Sequence, residues 1–371
     1  MSMVACLAAC GSIQAPVEPG RSSETLITLG EAEHMTVVDG ETGRIIARPG
    51  PLSRFAVVRQ VSPDGRTIYV FDPGSGPSQP AEVVAVDMGT FRVRWREPWP
   101  IRSSDDERPL GPRLAGTEVL LQNASWRGNQ GVIALDDSSR QVRAFWGPAA
   151  VPLRGLTRLP SRLRGVPGDV VVGGARPGRS GTFTGCLYIL DGATLSVRDS
   201  IVVVPASSNP FGGIDEVLAS PDGRRVYVAA GRTLVSYDLV ERRAVASTGL
   251  PTVGTGRLAI APDGRSLYYT DAGDGRNFPG SGFVHVFDAE LKPRPPIDLR
   301  SVGPGGRPIQ TNHAAVSSDG KLLYVAAGSA SRGPLYGVQY GRVLVIDAAT
   351  GALIKEIATG DWYVQDIIIR R

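Results

Sequence analysis

Apolar positions in this chain gather in short runs rich in Val, Ile, Leu and Tyr, each closed by Gly, Pro, Asn or Asp. No long stretch carries apolar residues at helical spacing, so the punctuation predicts many short strands and an all-β chain. Within a run the apolar residues are nearly continuous rather than alternating. That pattern suits sheets covered on both faces. Forty-six glycines and twenty-nine prolines among 371 residues supply the turns.

Two elements recur. The first is a short apolar run ending in Asp, then a tight turn and a second strand. It ends at Asp39, Asp87, Asp136, Asp191, Asp238, Asp288 and Asp347, spaced 48, 49, 55, 47, 50 and 59 residues apart. Three positions beyond these aspartates stand Thr42, Thr90, Ser139, Thr194, Glu241, Leu291 and Thr350. An Asp here accepts hydrogen bonds from turn amides, and a Thr or Ser hydroxyl reinforces it. The second element is Ser62-Pro63-Asp64-Gly65, Ser220-Pro221-Asp222-Gly223, Ala261-Pro262-Asp263-Gly264 and Ser317-Ser318-Asp319-Gly320, the chemistry of a type I turn. Two repeats, near Gly116 and Gly168, lack it but keep a following strand.

Repetition at roughly fifty residues predicts a meander of four strands, A to D, used seven times. The first repeat supplies strands at 25–29, 34–39 and 44–47 but no strand A, while the C-terminus supplies an orphan strand at 363–369. Joining them completes the seventh unit. The expected fold is an all-β, seven-bladed β-propeller over residues 24–371, its ring closed by the C-terminal strand A beside N-terminal strands B, C and D.

The stretch from Gly305-Gly306-Arg307-Pro308 through His313 and Asp319-Gly320 to Leu322-Leu323-Tyr324-Val325-Ala326 resembles the YVTN-repeat β-propellers, as does 343–350. The resemblance implies kinship with bacterial surface and periplasmic propellers, lactonase-like propellers and the heavy chain of quinoprotein amine dehydrogenases. It rests on turn and core positions, so it speaks for fold more than function.

Composition then narrows the setting. A net charge of +4, with cations scattered and nearly all arginine, excludes a nucleic-acid binder of the usual basic kind. Of three cysteines only Cys186 lies in the folded body, which excludes a disulfide framework or a Cys-based zinc site there. Leu7-Ala8-Ala9-Cys10 resembles a bacterial lipobox, with Cys10 as the lipidated residue, 1–10 as leader and 11–23, rich in Gly, Pro and Ser, as tether. No Lys or Arg precedes Cys10 and the apolar stretch before it is short, which a start placed too far downstream explains. A frayed N-terminus is the competing account. The expectation is an extracytoplasmic lipoprotein that meets the membrane only through its anchor.

In a meander the A–B and C–D turns share one end of the sheets, and the B–C and D–A connections share the other. The second class reads as long: 72–81, 123–130, 174–185, 271–282 and 328–341 between B and C, and 97–112, 147–168 and 300–310 between D and A. Trp126, Arg127, Tyr336 and Tyr340 sit there as candidate binding residues. At the start of the A strands stand Asp215, Glu216, Arg257, Asn312 and His313, with Gln365 and Asp366 at the matching place in the closing repeat. A carboxylate, a guanidinium and an imidazole at one opening suit anion binding, a metal or proton transfer. A merely solvated channel mouth, wet and polar as propeller channels are, is the simpler account of them and the one preferred.

Other motifs carry less. The spacing of Gly173, Gly178, Arg179 and Ser180 imitates a phosphate loop, but a strand follows where a helix is required. Asp271, Asp274 and Asn277 lack the spacing and closing Glu of an EF-hand. His34 and His285 are dispersed, and His285 reads as a satisfied interior histidine. The reading is therefore a binding or scaffold module for a protein, peptide or glycan, without cofactor or metal and with no recognisable catalytic set. The alternative is a lactonase-like hydrolase or a quinoprotein dehydrogenase-like subunit. In that case Glu216, Arg257 and His313 must converge.

Overall fold

The computed structural model describes residues 24–30, 35–52, 57–62, 66–72, 81–98, 113–115, 118–126, 129–136 and 142–147 in its first part. In its second it describes 153–159, 168–178, 182–207, 213–251, 256–271, 281–303, 309–328, 341–361 and 364–370. Cys10, the tether at 11–23, Arg127, Asp274, Asn277, Tyr336 and Tyr340 lie outside the described residues.

All regular structure among the described residues is β, in seven antiparallel sheets of four strands. The second to seventh sheets are simple meanders. They comprise β4 (Val57–Val61), β5 (Thr67–Asp72), β6 (Glu82–Asp87) and β7 (Arg92–Pro98); then β8 (Arg113–Ala115), β9 (Glu118–Trp126), β10 (Asn129–Asp136) and β11 (Val142–Trp146). Next come β12 (Leu153–Arg158), β13 (Val170–Pro177), β14 (Phe183–Leu190) and β15 (Val197–Ser207), and then β16 (Glu216–Ala219), β17 (Arg225–Ala230), β18 (Thr233–Asp238) and β19 (Arg243–Gly249). The last two are β20 (Leu258–Ile260), β21 (Ser266–Thr270), β22 (Phe283–Asp288) and β23 (Pro293–Asp298), and β24 (Gln310–Val316), β25 (Leu322–Gly328), β26 (Arg342–Asp347) and β27 (Leu353–Ala358).

The first sheet is the exception. Its β1 (Thr25–Gly30), β2 (Met35–Asp39) and β3 (Ile45–Ala47) are joined by the chain's last strand, β28 (Val364–Arg370), in the order β28-β1-β2-β3. Thr25 pairs with Arg370 and Leu29 with Asp366. The A strands also meet one another: β28 lies beside β4, then β4 beside β8, β8 beside β12, β12 beside β16, β16 beside β20, β20 beside β24, and β24 beside β28.

Burial explains why the runs look continuous. Apolar clusters form between successive sheets, such as Ile27, Leu29 and Met35 of the first against Ile68, Val70, Val84 and Val86 of the second. Leu26 and Val38 face the other way, onto Tyr324, Val343 and Val345 of the seventh. Both faces of one strand are therefore dry, and each such side chain contributes about 1.5–3 kcal/mol. The outermost strands read differently: β27 exposes Leu353 and Ile354 while burying Ile357.

The turn chemistry follows the aspartates. Asp39, Asp87, Asp191 and Asp347 each accept, through Oδ1, the amide two residues on, the amide three residues on and that residue's Thr hydroxyl. At Asp238 the residue three on is Glu241, so Oδ1 accepts the Val240 and Glu241 amides without a Thr hydroxyl, while Oδ2 accepts Arg224 Nε–H at 2.7 Å. At Asp288 the second amide comes from Lys292, four residues on. In the Pro-Asp-Gly elements, Gly223, Gly264 and Gly320 donate to the carbonyl three residues back and adopt positive φ of 68°, 72° and 75°. That region favours glycine.

Asp191 shows the electrostatic consequence. The Thr194 amide, with the Thr194 hydroxyl, the Ala193 amide and Arg198, holds its carboxyl down to about 2, against an opposing push from burial second only to the Thr194 amide. A carboxylate whose folded pKa lies below its unfolded 3.8 stabilises the fold above that value and stops doing so as pH falls through about 2. Asp191→Ala is expected to cost about 1 kcal/mol near neutrality, and the gap to the parent should close in acid melts taken across that window.

Three expectations about connections need correction. Residues 123–130 and 174–185 are not open loops, because β9 and β10 pair as far as Trp126 with Asn129, and β13 and β14 as far as Pro177 with Phe183. Glycine-rich sequence there serves extended hairpins. Within 147–168 runs β12, so the A–B connection of that sheet is residues 159–169 and is long, unlike its counterparts.

Candidate functional site

Each A strand runs from the end holding the long connections toward the turn end, so residues at its start lie at the former. Glu216 is the first residue of β16, and Arg257 directly precedes β20. Arg257 Nη1 donates to Glu216 Oε2 at 3.2 Å, joining the fifth and sixth sheets. Glu216 is 4% exposed and Arg257 19%, so this ion pair is largely out of water.

The seventh sheet meets the first in the same way. Thr311 pairs with Ala327 and His313 with Ala326, which leaves Asn312 in a bulge of β24. The freed Asn312 side chain donates Nδ2–H to the Val364 carbonyl at 2.6 Å. His313 Nδ1 lies 2.5 Å from Asp366 Oδ1, with the carboxylate 5% and the imidazole 24% exposed. Asp215 uses its Oδ2 to accept the Gly231 amide at 2.8 Å, closing the turn between β17 and β18. Gln365 lies in β28 next to Asp366.

The expected trio thus resolves into two couples on successive A strands: Glu216 with Arg257, and His313 with Asp366. A threonine bridge lies between them. Thr270 Oγ1 accepts the Arg257 amide at 3.1 Å and donates to the Asn312 carbonyl at 3.2 Å, while Thr311 Oγ1 accepts the Asp271 amide at 3.0 Å. Sequence reasoning missed Thr270, Thr311 and the buried role of Asp271. A signal existed: Asp72 ends its B strand and Asp271 directly follows its own, and they are 2% and 1% exposed, a repeated position that aligning the repeats would have revealed. Among the described residues no group of three or more His, Cys, Asp or Glu is placed to hold a metal ion.

Two aromatic neighbours set the local polarity. Burial pushes the Tyr269 hydroxyl up, assisted by Asp215, Asp271 and Glu216. His285 is not the satisfied histidine the sequence suggested. Its ring lies 6.5 Å from that of Tyr269 and 6.1 Å from that of Phe283, and its buried Nε2 meets no hydrogen-bond partner among the described residues. Burial lowers its pKa below 6.5, with Asp271 opposing. The folded state therefore resists protonation that the unfolded chain accepts, so stability falls as pH drops below 6.5. His285→Phe is expected to flatten that slope; urea midpoints at about pH 8 and about pH 5 measure it.

Trp126 ends β9 opposite Asn129, at the long-connection end. Cys186 is a buried free thiol, pushed up by desolvation.

Solved structures resemble this chain in fold. One is a candidate 6-phosphogluconolactonase from Bacteroides fragilis, with a TM-score of 0.61 and 15% identity over 95% of this chain and 99% of that one. Another is the dihydro-heme d1 dehydrogenase NirN, at 0.55 and 16% over 95% and 77%. A third is the β-propeller domain of Cps50 (Swd1) from Myceliophteria thermophila, at 0.54 and 16% over 81% and 85%. The chain is a β-propeller. At such identities the likeness speaks for the propeller fold alone. No family model matches the sequence, and no curated protein is significantly similar to it.

Proposed function

We propose that the seven sheets are the blades of one closed ring, held outside the cytoplasm by a lipid on Cys10, and that this propeller is a binding or scaffold module for a protein, peptide or glycan. The unbroken round of A-strand contacts and the β28–β1 pairing support closure. One observation carries the binding reading: apart from 159–169, the connections at the turn end are short, whereas 73–81, 99–112, 271–282, 299–309 and 329–341 all leave from the opposite end. Variable length at one end of a rigid scaffold is where recognition surface is built. The mouth residues favour it too, since Glu216 and Arg257 engage each other.

The test places a photocrosslinking side chain at Trp126, outside the segment to be replaced, in membrane-bound protein. Replacing 329–340 by a short Gly-Ser link is expected to abolish one defined adduct without shifting the melting midpoint. Identical adducts in both proteins would remove the basis for binding at this end.

A second reading rests on His313 and Asp366. An imidazole whose Nδ1 faces a buried carboxylate has the disposition of a general base and the group that orients it. That suits a lactonase-like hydrolase better than a quinoprotein dehydrogenase-like subunit. It requires lactone turnover that His313→Gln lowers by about 100-fold or more.

A further inference from the structure

The root of the tether has a fixed position. β1 enters its sheet at Thr25, opposite Asp39 of the turn leading to β3 and opposite Arg370 near the end of β28. The polypeptide therefore arrives at the turn end, a full strand away from the long connections.

Glu24, one residue earlier, is gripped by two neighbouring sheets. Its carboxylate accepts the Ser318 amide and hydroxyl at 2.6 Å each and the Tyr324 hydroxyl at 3.1 Å. Its carbonyl accepts the Gly40 amide at 2.8 Å. Ser318 belongs to the turn between β24 and β25, and Gly40 to that between β2 and β3. A side chain on Gly40 would sit 2.8 Å from that carbonyl, so the close approach requires glycine. Four donor atoms on two sheets hold Glu24 where the described chain begins.

From this we infer that, in the anchored protein, the turn end rests toward the lipid bilayer and the long connections face away from it. The inference depends on the lipid at Cys10 proposed above. A random-coil tether of thirteen residues would span roughly 20 Å root-mean-square. β1 is six residues long, which adds about 20 Å between the root and the far end. The turn end is thus on average about half as far from the lipid as the binding end. Among the described residues of the turn end, cations stand beside anions: Lys321 lies 3.8 Å from Asp319, and Arg224 lies 2.7 Å from Asp238 and 3.2 Å from Glu241. Contact comes from the tether rather than from a basic patch, and is insensitive to salt.

The experiment uses the full chain, purified in its lipidated form and placed in vesicles of phosphatidylethanolamine and phosphatidylglycerol carrying a nitroxide headgroup lipid. A fluorophore is attached to Glu290→Cys, exposed in the turn between β22 and β23, or to Arg232→Cys, exposed between β17 and β18. Cys186 is buried and stays unlabelled. The label at 290 is expected to be quenched about three-fold more than that at 232, at low and high salt alike. Equal or reversed quenching in protein that sediments with the vesicles would overturn the orientation. Protein that carries no lipid, and sediments no better than Cys10→Ser, would instead overturn the anchoring beneath it.

Discussion

Gly256→Ala is expected to destabilise the protein by about 4 kcal/mol or more, enough to unfold many domains at ordinary temperature. A Cβ at this position would stand 2.1 Å from Tyr269 Cζ and 2.2 Å from the Thr270 carbonyl oxygen. Neither neighbour can retreat. Tyr269 is 1% exposed and Thr270 fully buried, and Thr270 is tied through its hydroxyl to Arg257 and Asn312. Overpacking against backbone displaces a strand, not a rotamer. Gly249→Ala is the control, because a Cβ there meets nothing within 4 Å, so its effect should stay within about 0.5 kcal/mol. Urea unfolding followed by tryptophan fluorescence separates the two; equal midpoints would show that the β20–β21 contact is looser than described.

Ending the chain at Asp361 is expected to do comparable damage by another route. The deletion removes β28, and with it Val364 and Ile367, 0% and 1% exposed, from the cluster they share with Leu26 and Val38. It also strips β1 of its ladder from Thr25 to Gly30 and deprives His313 of Asp366. The lost burial and the uncovered strand together cost about 5 kcal/mol or more, comparable with the whole stability of many domains. The truncated protein should lose its cooperative transition, and a peptide of residues 362–371 should restore it. An unchanged cooperative melt would mean that the first sheet does not depend on its C-terminal strand.

Most of the fold was legible because its signals are local. Asp39 and Thr42, or Asp347 and Thr350, specify their turn within four residues, and apolar runs such as 83–86 mark buried strands without reference to partners. The missing strand A and the orphan at the C-terminus pointed to each other through counting alone. Where local signals weakened, the reading failed. β12, with Arg154, Gly155 and Arg158, has no apolar run and no Pro-Asp-Gly turn after it. Gly173, Gly174 and Gly178 look like loop residues, yet they lie in or beside a hairpin whose tip Gly178 closes on Thr182.

The site was legible as a set of residues and not as a set of contacts. Spacing from the turn placed Glu216, Arg257 and His313 at equivalent positions, but partner choice depends on which sheets are neighbours. Glu216 meets Arg257 across forty-one residues and Asn312 meets Val364 across fifty-two. Thr270 and Thr311, which knit these groups to the backbone, carry no charge and drew no notice.

Holding the opening strands of the first sheet against the final one has a consequence for biogenesis. While the polypeptide is still emerging from a ribosome, β1 lacks its neighbour β28, which is made more than three hundred residues later. Native assembly of that sheet waits for β28, so a chain not yet made that far leaves one edge of β1 unpaired.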